Sequence, residues 1–472
     1  MDMQAILARQ KAALLRDGEA SAELRIERID RCIRLLRENR RAIEDALNTD
    51  FGSRSREATA FTDVAGSIGP LQHARDHLRK WMKPEKRKPT PAILGLFGAK
   101  AEVRYQPKGV VGVISPWNFP VNLTFAPLAG ILAAGNRAMI KPSEYTPVTS
   151  ELMKTMLSGA FSEEEIAVVT GGPEIGEAFS HLAFDHLIFT GATSVARHVM
   201  RAAAENLVPV TLELGGKSPV ILGRSADMST AAARVMNGKT LNAGQICLAP
   251  DYVLAPEDQV EAFVAAARTS VSTMFPTIKD NPDYTAVVAQ RHFDRITGYI
   301  DDARAKGARV IELKPEGEDL TQQEYRKIAP TLILDPTDDM KVMQEEIFGP
   351  VLPIKGYSTL DEAIAYVNGR DRPLGLYYFG TDAAEQERVL THTTAGGVTI
   401  NDVIMHVAQE ELPFGGIGPS GMGSYHGAEG FREFSHRKAV FSQMKKDIGP
   451  LKMLRPPYGT GIRKFLDGQI KG

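Results

Sequence analysis

The sequence predicts an α/β protein in which a parallel sheet carries helices on both faces and is followed by a second α/β region. The main observation is that short β-rich runs alternate with helical patterns over residues 110–214. Strands that alternate with helices pair in parallel through right-handed crossovers, and ligands lie beyond the carboxyl ends of such strands. A second α/β pattern follows over residues 215–400, and a chain of 472 residues is long enough for two or three domains.

The composition is that of an ordinary globular protein. Apolar residues make up 43% and charged residues 24%, and the net charge of -2 gives no reason to expect binding to nucleic acid or to an acidic membrane surface. The two cysteines, Cys32 and Cys247, lie far apart without metal-ligand spacing. We therefore expect a reducing compartment, no disulfide framework and no metal. Because no stretch is typical of a signal peptide or a membrane span, we expect a cytoplasmic protein without a membrane anchor.

The first hundred residues are predicted to be mainly helical. Residues 3–50 have the spacing of two helices, and Cys32 falls on an apolar stripe, where we expect it to pack in the core. A further helix is predicted over 57–82. It is followed by a basic connector broken by prolines at 83–91, and by an alternating edge strand at 101–106.

The rest of the chain alternates between strand and helix patterns. In the first α/β region, strands are predicted at 110–114, 138–140, 166–169, 187–189 and 210–214, and helices at 121–134, 147–158, 174–181 and 194–204. In the second, helices are predicted at 228–243, 257–273, 289–306, 360–368 and 382–391, with β-rich runs such as 350–354 between them. A glycine-rich loop covers 413–423, and a basic tail that we expect at the surface begins at Lys445.

The stretch Asn-Ala-Gly-Gln-Ile-Cys at 242–247 places the thiol of Cys247 in a turn of small residues before the apolar run 252–254. A thiol that performs covalent chemistry needs access for its substrate, a group that stabilises the charge it generates, and a base. The alternative is a buried cysteine that acts as a small hydrophobic residue. The supporting residues elsewhere in the chain favour the reactive thiol.

Two such supporting residues follow predicted strands. Asn118 comes just after the first strand, between Pro116 and Pro120, where its amide can donate a hydrogen bond to an oxyanion; alternatively it forms a turn. Glu213 lies at the end of an apolar strand, where burial is costly without a function. It can serve as a general base with a raised pKa, or it can cap a helix through Gly216.

Three loops are candidates for binding a nucleotide. The turn 189–193 leads from a strand into a helix whose backbone amides can bind a phosphate, although it lacks the three-glycine fingerprint. The segment 140–144 ends a strand with a cation and an acid that can meet ribose hydroxyls, and the acids of 345–350 can contact a second ribose. The alternatives are a solvated loop and an exposed acidic turn.

Taken together, these fragments resemble the aldehyde dehydrogenase superfamily. The motifs at 117–120, 212–217, 244–247, 346–350 and 413–416 occur in the order and spacing of that superfamily, over nearly the whole chain. The separation of Glu213 and Cys247, 247 − 213 = 34 residues, also matches. The segments 420–427 and 434–437 are similar to its class-3-type branch, and 454–459 is similar to coniferyl-aldehyde dehydrogenases of bacteria.

This resemblance implies a mechanism. Cys247 would attack an aldehyde to give a thiohemiacetal, whose oxyanion the Asn118 amide and the Cys247 backbone N–H would hold. Hydride would pass to NAD(P) and leave a thioester, and Glu213 would activate the water that hydrolyses it to a carboxylic acid. Relatives that transfer the acyl group to coenzyme A tend to lack this glutamate. A catalytically silent homologue is disfavoured because all three residues are present.

The resemblance also implies the cofactor and substrate contacts. The expected cofactor-binding residues are Ile114, Pro116, Trp117, Lys141, Glu144, Gly191, Ala192, Thr193, Val195, Glu346 and Phe348. Phe119 and Phe414 would line the aldehyde pocket. Glu144 should repel a 2′-phosphate and so favours NAD, with NADP possible. Alanines at 192 and 196, where the family often has serine and glycine, leave that preference open. Coniferyl or another aromatic aldehyde is the expected substrate; a medium- or long-chain aliphatic aldehyde is the alternative.

The domain organisation follows from the same resemblance. A Rossmann-like NAD(P)-binding domain is expected over 1–100 and 114–214, and a catalytic domain with Cys247 over 215–405. A bridging element over 101–113 and 420–447 would support a homodimer, and 448–472 would form a surface tail.

Overall fold

The computed structural model describes residues 2–445 and 449–471. They form two compact units, residues 2–81 with 107–435, and residues 82–106 with 436–445 and 449–471. The helices are α1 (Met3–Asp17), α2 (Ala22–Glu38), α3 (Arg40–Phe51), α4 (Arg56–Thr59), α5 (Gly66–Trp81), α6 (Ala92–Leu96), α7 (Asn122–Ala133), α8 (Pro147–Ala160), α9 (Pro173–Ser180), α10 (Thr193–Glu205), α11 (Met228–Thr240), α12 (Val260–Met274), α13 (Gln290–Ala305), α14 (Lys341–Gln344), α15 (Leu360–Asn368), α16 (Ala383–His392), α17 (Gly427–Glu433), α18 (Gly449–Lys452) and α19 (Thr460–Ile470). The strands are β1 (Glu85–Arg87), β2 (Lys100–Pro107), β3 (Val110–Ile114), β4 (Arg137–Lys141), β5 (Ile166–Val168), β6 (His186–Thr190), β7 (Val210–Glu213), β8 (Pro219–Leu222), β9 (Tyr252–Pro256), β10 (Arg309–Glu312), β11 (Thr331–Leu334), β12 (Val351–Tyr357), β13 (Gly375–Phe379), β14 (Gly397–Ile400), β15 (Gly421–Met422) and β16 (Ser435–Ser442).

The first unit contains a six-stranded sheet with the order β15-β7-β6-β3-β4-β5. The pairs from β7 to β5 are parallel, and only β15 runs antiparallel, against β7. The chain proceeds outwards from β3 to β5 on one side and from β6 to β7 on the other. The order of the strands therefore reverses between β3 and β6, and a crevice at such a reversal is where ligands bind in doubly wound sheets. The predicted α/β class is confirmed.

The same unit contains a second, seven-stranded sheet with the order β10-β11-β12-β9-β8-β13-β14. All its pairs are parallel except β10 with β11. Apolar side chains cover both faces of this sheet: one cluster packs around Tyr299 and Met343, and the other around Phe263 and Met236. Strands buried on both faces read as continuous apolar runs, as in β9 and β13, where every residue is buried.

The second unit is built on a small sheet with the order β1-β2-β16. Leu94, Ala99 and Met444 form its buried apolar cluster. Helices α18 and α19 follow, and most of their described residues are exposed. The parts of the predicted bridging element and tail at 446–448 and 472 lie outside the described residues.

Several predicted elements differ from the structure. Residues 3–50 form three helices, because Asn39 ends the second: its backbone N–H and its side-chain amide both donate to the carbonyl of Leu35. The predicted helix 57–82 is broken by a π-helical turn at Ala60–Ala65, and α5 contains Pro70, which lacks an N–H for the regular pattern. Residues 110–113, assigned to the bridging element, instead belong to β3 in the middle of the six-stranded sheet. The other domain limits stay predictions.

No helix within residues 2–445 and 449–471 combines the length and the apolar character that crossing a bilayer requires.

Candidate active site

Cys247 follows a tight turn at the end of α11. The 3₁₀ turn Leu241–Gly244 contains three consecutive residues with left-handed backbone: Asn242 (φ 49°), Ala243 (φ 52°) and Gly244 (φ 72°). Only glycine fits at the third position, because a Cβ on Gly244 would lie 2.3 Å from the carbonyl oxygen of Gly349. Non-glycine residues are uncommon in this conformation, and such strain clusters at functional sites.

Gln245 fixes the shape of this turn. Its side chain is fully buried and donates from Nε2 to the carbonyls of Asn242 (2.9 Å) and Ala286 (3.1 Å). Its Oε1 accepts from the backbone N–H of Val288 at 3.0 Å. Both polar atoms of the side-chain amide are therefore hydrogen-bonded. These bonds fix the backbone just before Cys247 to its own turn at Asn242 and to the segment 286–288.

The structure brings Asn118 to the same turn. Asn118 lies in the loop after β3, and its Nδ2 donates to the carbonyl of Gln245 at 3.0 Å. The backbone carbonyl of Asn118 accepts hydrogen bonds from Asn242 Nδ2 at 3.1 Å and from Arg54 Nη1 at 2.7 Å. The side chain therefore joins two distant loops and does not form a local turn. One of the two amide hydrogens bonds to Gln245, and the second remains to be donated.

A buried ion pair lies behind Asn118. Arg54 and Asp63 are both almost fully buried, with Nη2 and Oδ2 2.6 Å apart. Oδ1 of Asp63 accepts from the backbone N–H groups of Val121 (3.1 Å) and Asn122 (3.3 Å), at the start of α7. The pair thus connects the loop that carries Asn118 to the helix that follows it.

Glu213 ends β7 and has no local partner. Both of its carboxylate oxygens are buried without a hydrogen bond among the described residues. Burial, followed by the charge of Glu433, raises the pKa of Glu213 well above its ordinary value. The residues after Gly216 enter strand β8 and not a helix, which excludes the helix-capping alternative.

Glu346 reaches the backbone that follows Glu213. Its carboxylate lies so close to Gly215 that a Cβ there would be 2.1 Å from Oε1. Oε1 is buried without a hydrogen bond among the described residues, so Glu346 is not part of an exposed acidic turn. Burial and the charge of Asp251 raise the pKa of Glu346 to about 8.

The surroundings of Cys247 raise the pKa of its thiol. Its side chain is partly exposed, whereas Cys32 in α2 is fully buried, as predicted from its apolar stripe. Burial and the charges of Glu346 and Glu213 raise the pKa of Cys247 to about 12. The two carboxyl groups and the thiol are therefore close enough to interact, and the thiol holds its proton until a base removes it.

The predicted cofactor residues gather at the carboxyl ends of neighbouring strands. The register of the sheet pairs Ile114 of β3 with Lys141 of β4 on one side and with Phe189 of β6 on the other. Lys141 Nζ lies 3.1 Å from a carboxylate oxygen of Glu144. The partly buried Pro116 follows directly after β3. These residues lie where the order of the strands reverses.

The turn after β6 leads into α10. Ala192 is the N-cap of this helix and offers no side-chain oxygen, so its first amides lack a side-chain cap. Gly191 donates its N–H to the carbonyl of Glu213 at 3.0 Å, and Thr193 Oγ1 donates to the carbonyl of Pro419 at 3.0 Å. Val195 is 48% exposed in the first turn of the same helix.

Aromatic rings occupy two places around the thiol loop. Trp117 meets Phe348 edge-on, with centroids 5.3 Å apart, and Phe348 has a left-handed backbone (φ 47°). Phe119 lies beneath the guanidinium of Arg54. The buried ring of Phe414 contacts His426 at 4.8 Å and Tyr425 at 5.9 Å.

Comparison with known families decides what kind of protein carries this site. The family model described as the aldehyde dehydrogenase family matches residues 1–440. The chain belongs to the aldehyde dehydrogenase family. It is an oxidoreductase that acts on aldehydes, and the resemblance seen in the sequence motifs is confirmed.

Named relatives of this aldehyde dehydrogenase match almost its whole length. A probable coniferyl aldehyde dehydrogenase of Caulobacter vibrioides is 77% identical, over 99% of this chain and 97% of the relative. A coniferyl aldehyde dehydrogenase of Pseudomonas sp. strain HR199 is 56% identical, over 98% and 94%. Aldehyde dehydrogenase family 3 member B1 of Homo sapiens is 40% identical, over 89% and 86%, in agreement with the class-3-type branch.

Solved structures agree in fold. The substrate-bound AldH of Staphylococcus aureus has a TM-score of 0.92 and 36% identity, with 100% of both chains covered. An aldehyde dehydrogenase of Mycobacterium tuberculosis, complexed with NAD+, has a TM-score of 0.82 and 29% identity, over 94% of this chain and 90% of that one.

Some residues of this aldehyde dehydrogenase site were not predicted from the sequence. Arg54 and Asp63 hold the Asn118 loop, yet Arg54 is 64 positions away from Asn118 and belongs to no motif. Gln245 was only part of a motif, and its three hydrogen bonds reach residues up to 43 positions away. A buried polar residue inside an otherwise small and apolar stretch was the available signal for Gln245. The sequence carried no comparable signal for the Arg54–Asp63 ion pair.

Proposed function

We propose that this aldehyde dehydrogenase oxidises coniferyl aldehyde or a related aromatic aldehyde to the carboxylic acid, with NAD as hydride acceptor and NADP as a possible substitute. The observation that carries the substrate class is the 77% identity to the probable coniferyl aldehyde dehydrogenase of Caulobacter vibrioides. The proposed thiol chemistry is supported by the hydrogen bond from Asn118 to the Cys247 loop and by the charges of Glu213 and Glu346 near the thiol.

Cys247 is the proposed nucleophile. Because its pKa is raised to about 12, the thiol must pass its proton to a base as it attacks. Glu213, whose pKa is also raised, is the proposed base. A carbon–sulfur bond forms to the aldehyde carbon, and the carbonyl oxygen becomes an oxyanion.

The oxyanion is stabilised by donors that are already in place. The second amide hydrogen of Asn118 and the backbone N–H of Cys247 are proposed to hold it. Gln245 and the Arg54–Asp63 pair keep Asn118 in position, so the donor needs little reorganisation as charge develops. Removing one such donor typically lowers the rate by roughly 10²–10³.

The residues around the crevice fit a nicotinamide dinucleotide. The uncapped first turn of α10, with Gly191, Ala192, Thr193 and Val195, suits the pyrophosphate, and Lys141 with Glu144 suits the adenosine ribose. The orphan Oε1 of Glu346 suits the hydroxyls of the nicotinamide ribose. Ile114, Pro116, Trp117 and Phe348 would complete the walls. When bound, the cofactor accepts hydride from the thiohemiacetal carbon, which leaves a thioester on Cys247.

Glu213 then completes the reaction. Its ionised carboxylate takes a proton from water, the water oxygen bonds to the thioester carbon, and the carbon–sulfur bond breaks. A raised pKa makes the carboxylate a stronger base for this step, and the absence of a hydrogen-bond partner among the described residues leaves both oxygens for the water. The proposed products are a carboxylic acid and the thiolate of Cys247, to which Glu213 can return the proton that it took from water.

The aldehyde pocket is proposed to include Phe119 and Phe414. Phe414 belongs to a cluster with Tyr425, His426 and His406, and a planar aromatic substrate packs well against such rings.

We also infer that the chain forms a homodimer. Strand β16 is an edge of its sheet and exposes Phe441, which supports an assembly through the second unit. Light scattering coupled to size exclusion would measure the mass.

The test of this function is turnover of three aldehydes. NADH or NADPH formation is followed by absorbance with coniferyl aldehyde, benzaldehyde and hexanal, each with NAD and NADP. We expect the highest kcat/KM for coniferyl aldehyde with NAD, and complete loss in Cys247→Ala. Cys32→Ala, which removes a buried thiol from α2, should keep kcat.

The outcomes separate the alternatives. A higher kcat/KM for hexanal would favour the alternative that the enzyme oxidises medium- or long-chain aliphatic aldehydes. Turnover that survives Cys247→Ala would contradict the thiol mechanism.

A further inference from the structure

A polar stripe runs beneath Glu213 on one face of the six-stranded sheet. The register places Ile188 opposite Thr211 and Thr190 opposite Glu213. Because side chains alternate along a strand, His186, Thr211 and Glu213 share one face, and Thr211 and Glu213 are two residues apart, or roughly 7 Å. The opposite face, with Leu187 and Leu212, packs in an apolar core.

A continuous chain of hydrogen bonds follows this stripe. Lys108 Nζ lies 2.9 Å from His186 Nδ1, and His186 Nε2 lies 2.8 Å from Thr211 Oγ1. Thr211 Oγ1 donates to Glu433 Oε1 at 2.6 Å. The ammonium donates to Nδ1, so Nε2 carries the hydrogen that it gives to Thr211. Burial and the charge of Lys108 lower the pKa of His186 to about 3, in agreement with a neutral ring.

Glu433 links this buried stripe to solvent. It ends α17, its side chain is 28% exposed, and its Oε1 is held by Thr211. Gly423 leaves the space that Glu433 occupies, because a Cβ there would lie 2.8 Å from Oε1 and 2.9 Å from Thr211 Cγ2. Glu213, by contrast, is only 3% exposed, and both of its carboxylate oxygens are buried.

The proposed reaction loads protons onto a residue that solvent does not reach. Oxidation of one aldehyde by NAD with one water gives the carboxylate, NADH and two protons. In each turnover Glu213 takes one proton from the Cys247 thiol and one from water, and it must lose the first before it can activate the water. No hydrogen bond links its carboxylate to another described residue, so the proton must leave through a water or a second acid.

We propose that Glu433 takes the proton from Glu213, through a bridging water, and passes it to solvent, while Thr211, His186 and Lys108 position its carboxylate. This inference rests on the proposed role of Glu213. The O–H bond of the Glu213 carboxyl breaks and an O–H bond forms on Glu433, which then ionises into bulk water. No redox partner is required. Glu433 is therefore a proton-transfer residue, and Thr211, His186 and Lys108 are positioning residues; all four lie outside the set predicted from the sequence.

The experiment measures hydrolysis of the acyl-enzyme directly. The full-length enzyme is mixed with NAD and one equivalent of coniferyl aldehyde, and intact-mass spectrometry follows loss of the acyl adduct. In Glu433→Gln we expect hydrolysis to slow by roughly 10-fold to 100-fold, with the initial burst of NADH unchanged. Added imidazole, a small proton carrier, should restore the rate of the variant in proportion to its concentration, and Glu433→Asp should retain part of the rate.

The controls separate this proposal from the proposed function. Glu429→Gln removes an exposed acid from the same helix and should hydrolyse the adduct at the normal rate. Glu213→Gln should accumulate adduct that imidazole does not clear as efficiently as in Glu433→Gln. Normal hydrolysis in Glu433→Gln, or an equal loss of burst and hydrolysis without imidazole rescue, would overturn the relay and leave Glu213 in its role. An absent adduct in the wild type would instead overturn the thioester mechanism.

Discussion

A methyl group at Gly215 should weaken cofactor binding without unfolding the protein. In Gly215→Ala the new Cβ would lie 2.1 Å from Glu346 Oε1 and 2.4 Å from Oε2. Those atoms are the end of a flexible side chain, so the carboxylate can rotate away at little cost to folding. The substitution therefore displaces the proposed ribose ligand while keeping its charge.

The size of the effect follows from the displacement. An ordinary contact begins at 3.4 Å, so Oε1 must move by at least 3.4 − 2.1 = 1.3 Å. A hydrogen bond to a ribose hydroxyl does not survive such a shift. At a pH above about 8, where Glu346 is ionised, a hydrogen bond to its charged carboxylate contributes about 1.5–3 kcal/mol. Because each ~1.4 kcal/mol is tenfold, the Kd for NADH should then rise by roughly 10-fold to 100-fold.

Fluorescence titration with NADH measures this change, and Gly298→Ala in α13, where a Cβ meets nothing within 4 Å, is the matched control. The titration is repeated in a Glu346→Ala background, where Gly215→Ala should have little further effect. Wild-type affinity in Gly215→Ala would refute the proposed ribose contact. A full loss that persists without Glu346 would show that the methyl group acts through the backbone instead.

Two further predictions concern stability. Asp63→Ala leaves the buried guanidinium of Arg54 without its partner and should lower the free energy of unfolding in urea by about 3–5 kcal/mol. Glu23→Gln, in an exposed pair with Arg79, should leave the free energy of unfolding nearly unchanged, and equal losses in the two variants would contradict the importance of the buried pair. For Glu346, burial raises the pKa from 4.5 to about 8, so the folded state binds the proton more tightly than the unfolded state and stability is lost as pH rises through this range. Glu346→Gln should therefore gain Tm relative to the wild type as pH increases from about 5 to about 8, and a difference in Tm that does not change with pH would contradict the raised pKa.

The first α/β region was predictable because its signals are local. Each strand of 110–214 is a short apolar run, and each is followed by a helical pattern, so the alternation itself predicts parallel pairing. The break at Asn39 was missed because the charged pattern continues across it, and only the geometry of the cap ends the helix. The π-helical turn before α5 has no periodicity of its own.

The residues of the candidate active site also fall into those with a local sequence signal and those without one. Asn118, Glu213 and Cys247 could be proposed from the sequence because each interrupts or ends a recognisable element with a residue of definite chemistry. Arg54 and Asp63 were not found, because their importance exists only after the chain folds back on itself. The hydrogen-bonded stripe under Glu213 was missed for the same reason: its four side chains come from four separate segments.

The left-handed turn before Cys247 has a consequence for efforts to alter the enzyme. Three successive residues adopt a backbone that L-amino acids resist, and one of them abuts another loop at Gly349. Saturation libraries over 242–244 would therefore yield mostly inactive clones, whichever aldehyde is screened. Substitutions around Phe414, which is proposed to line the aldehyde pocket, should change substrate preference without disturbing the turn that positions Cys247.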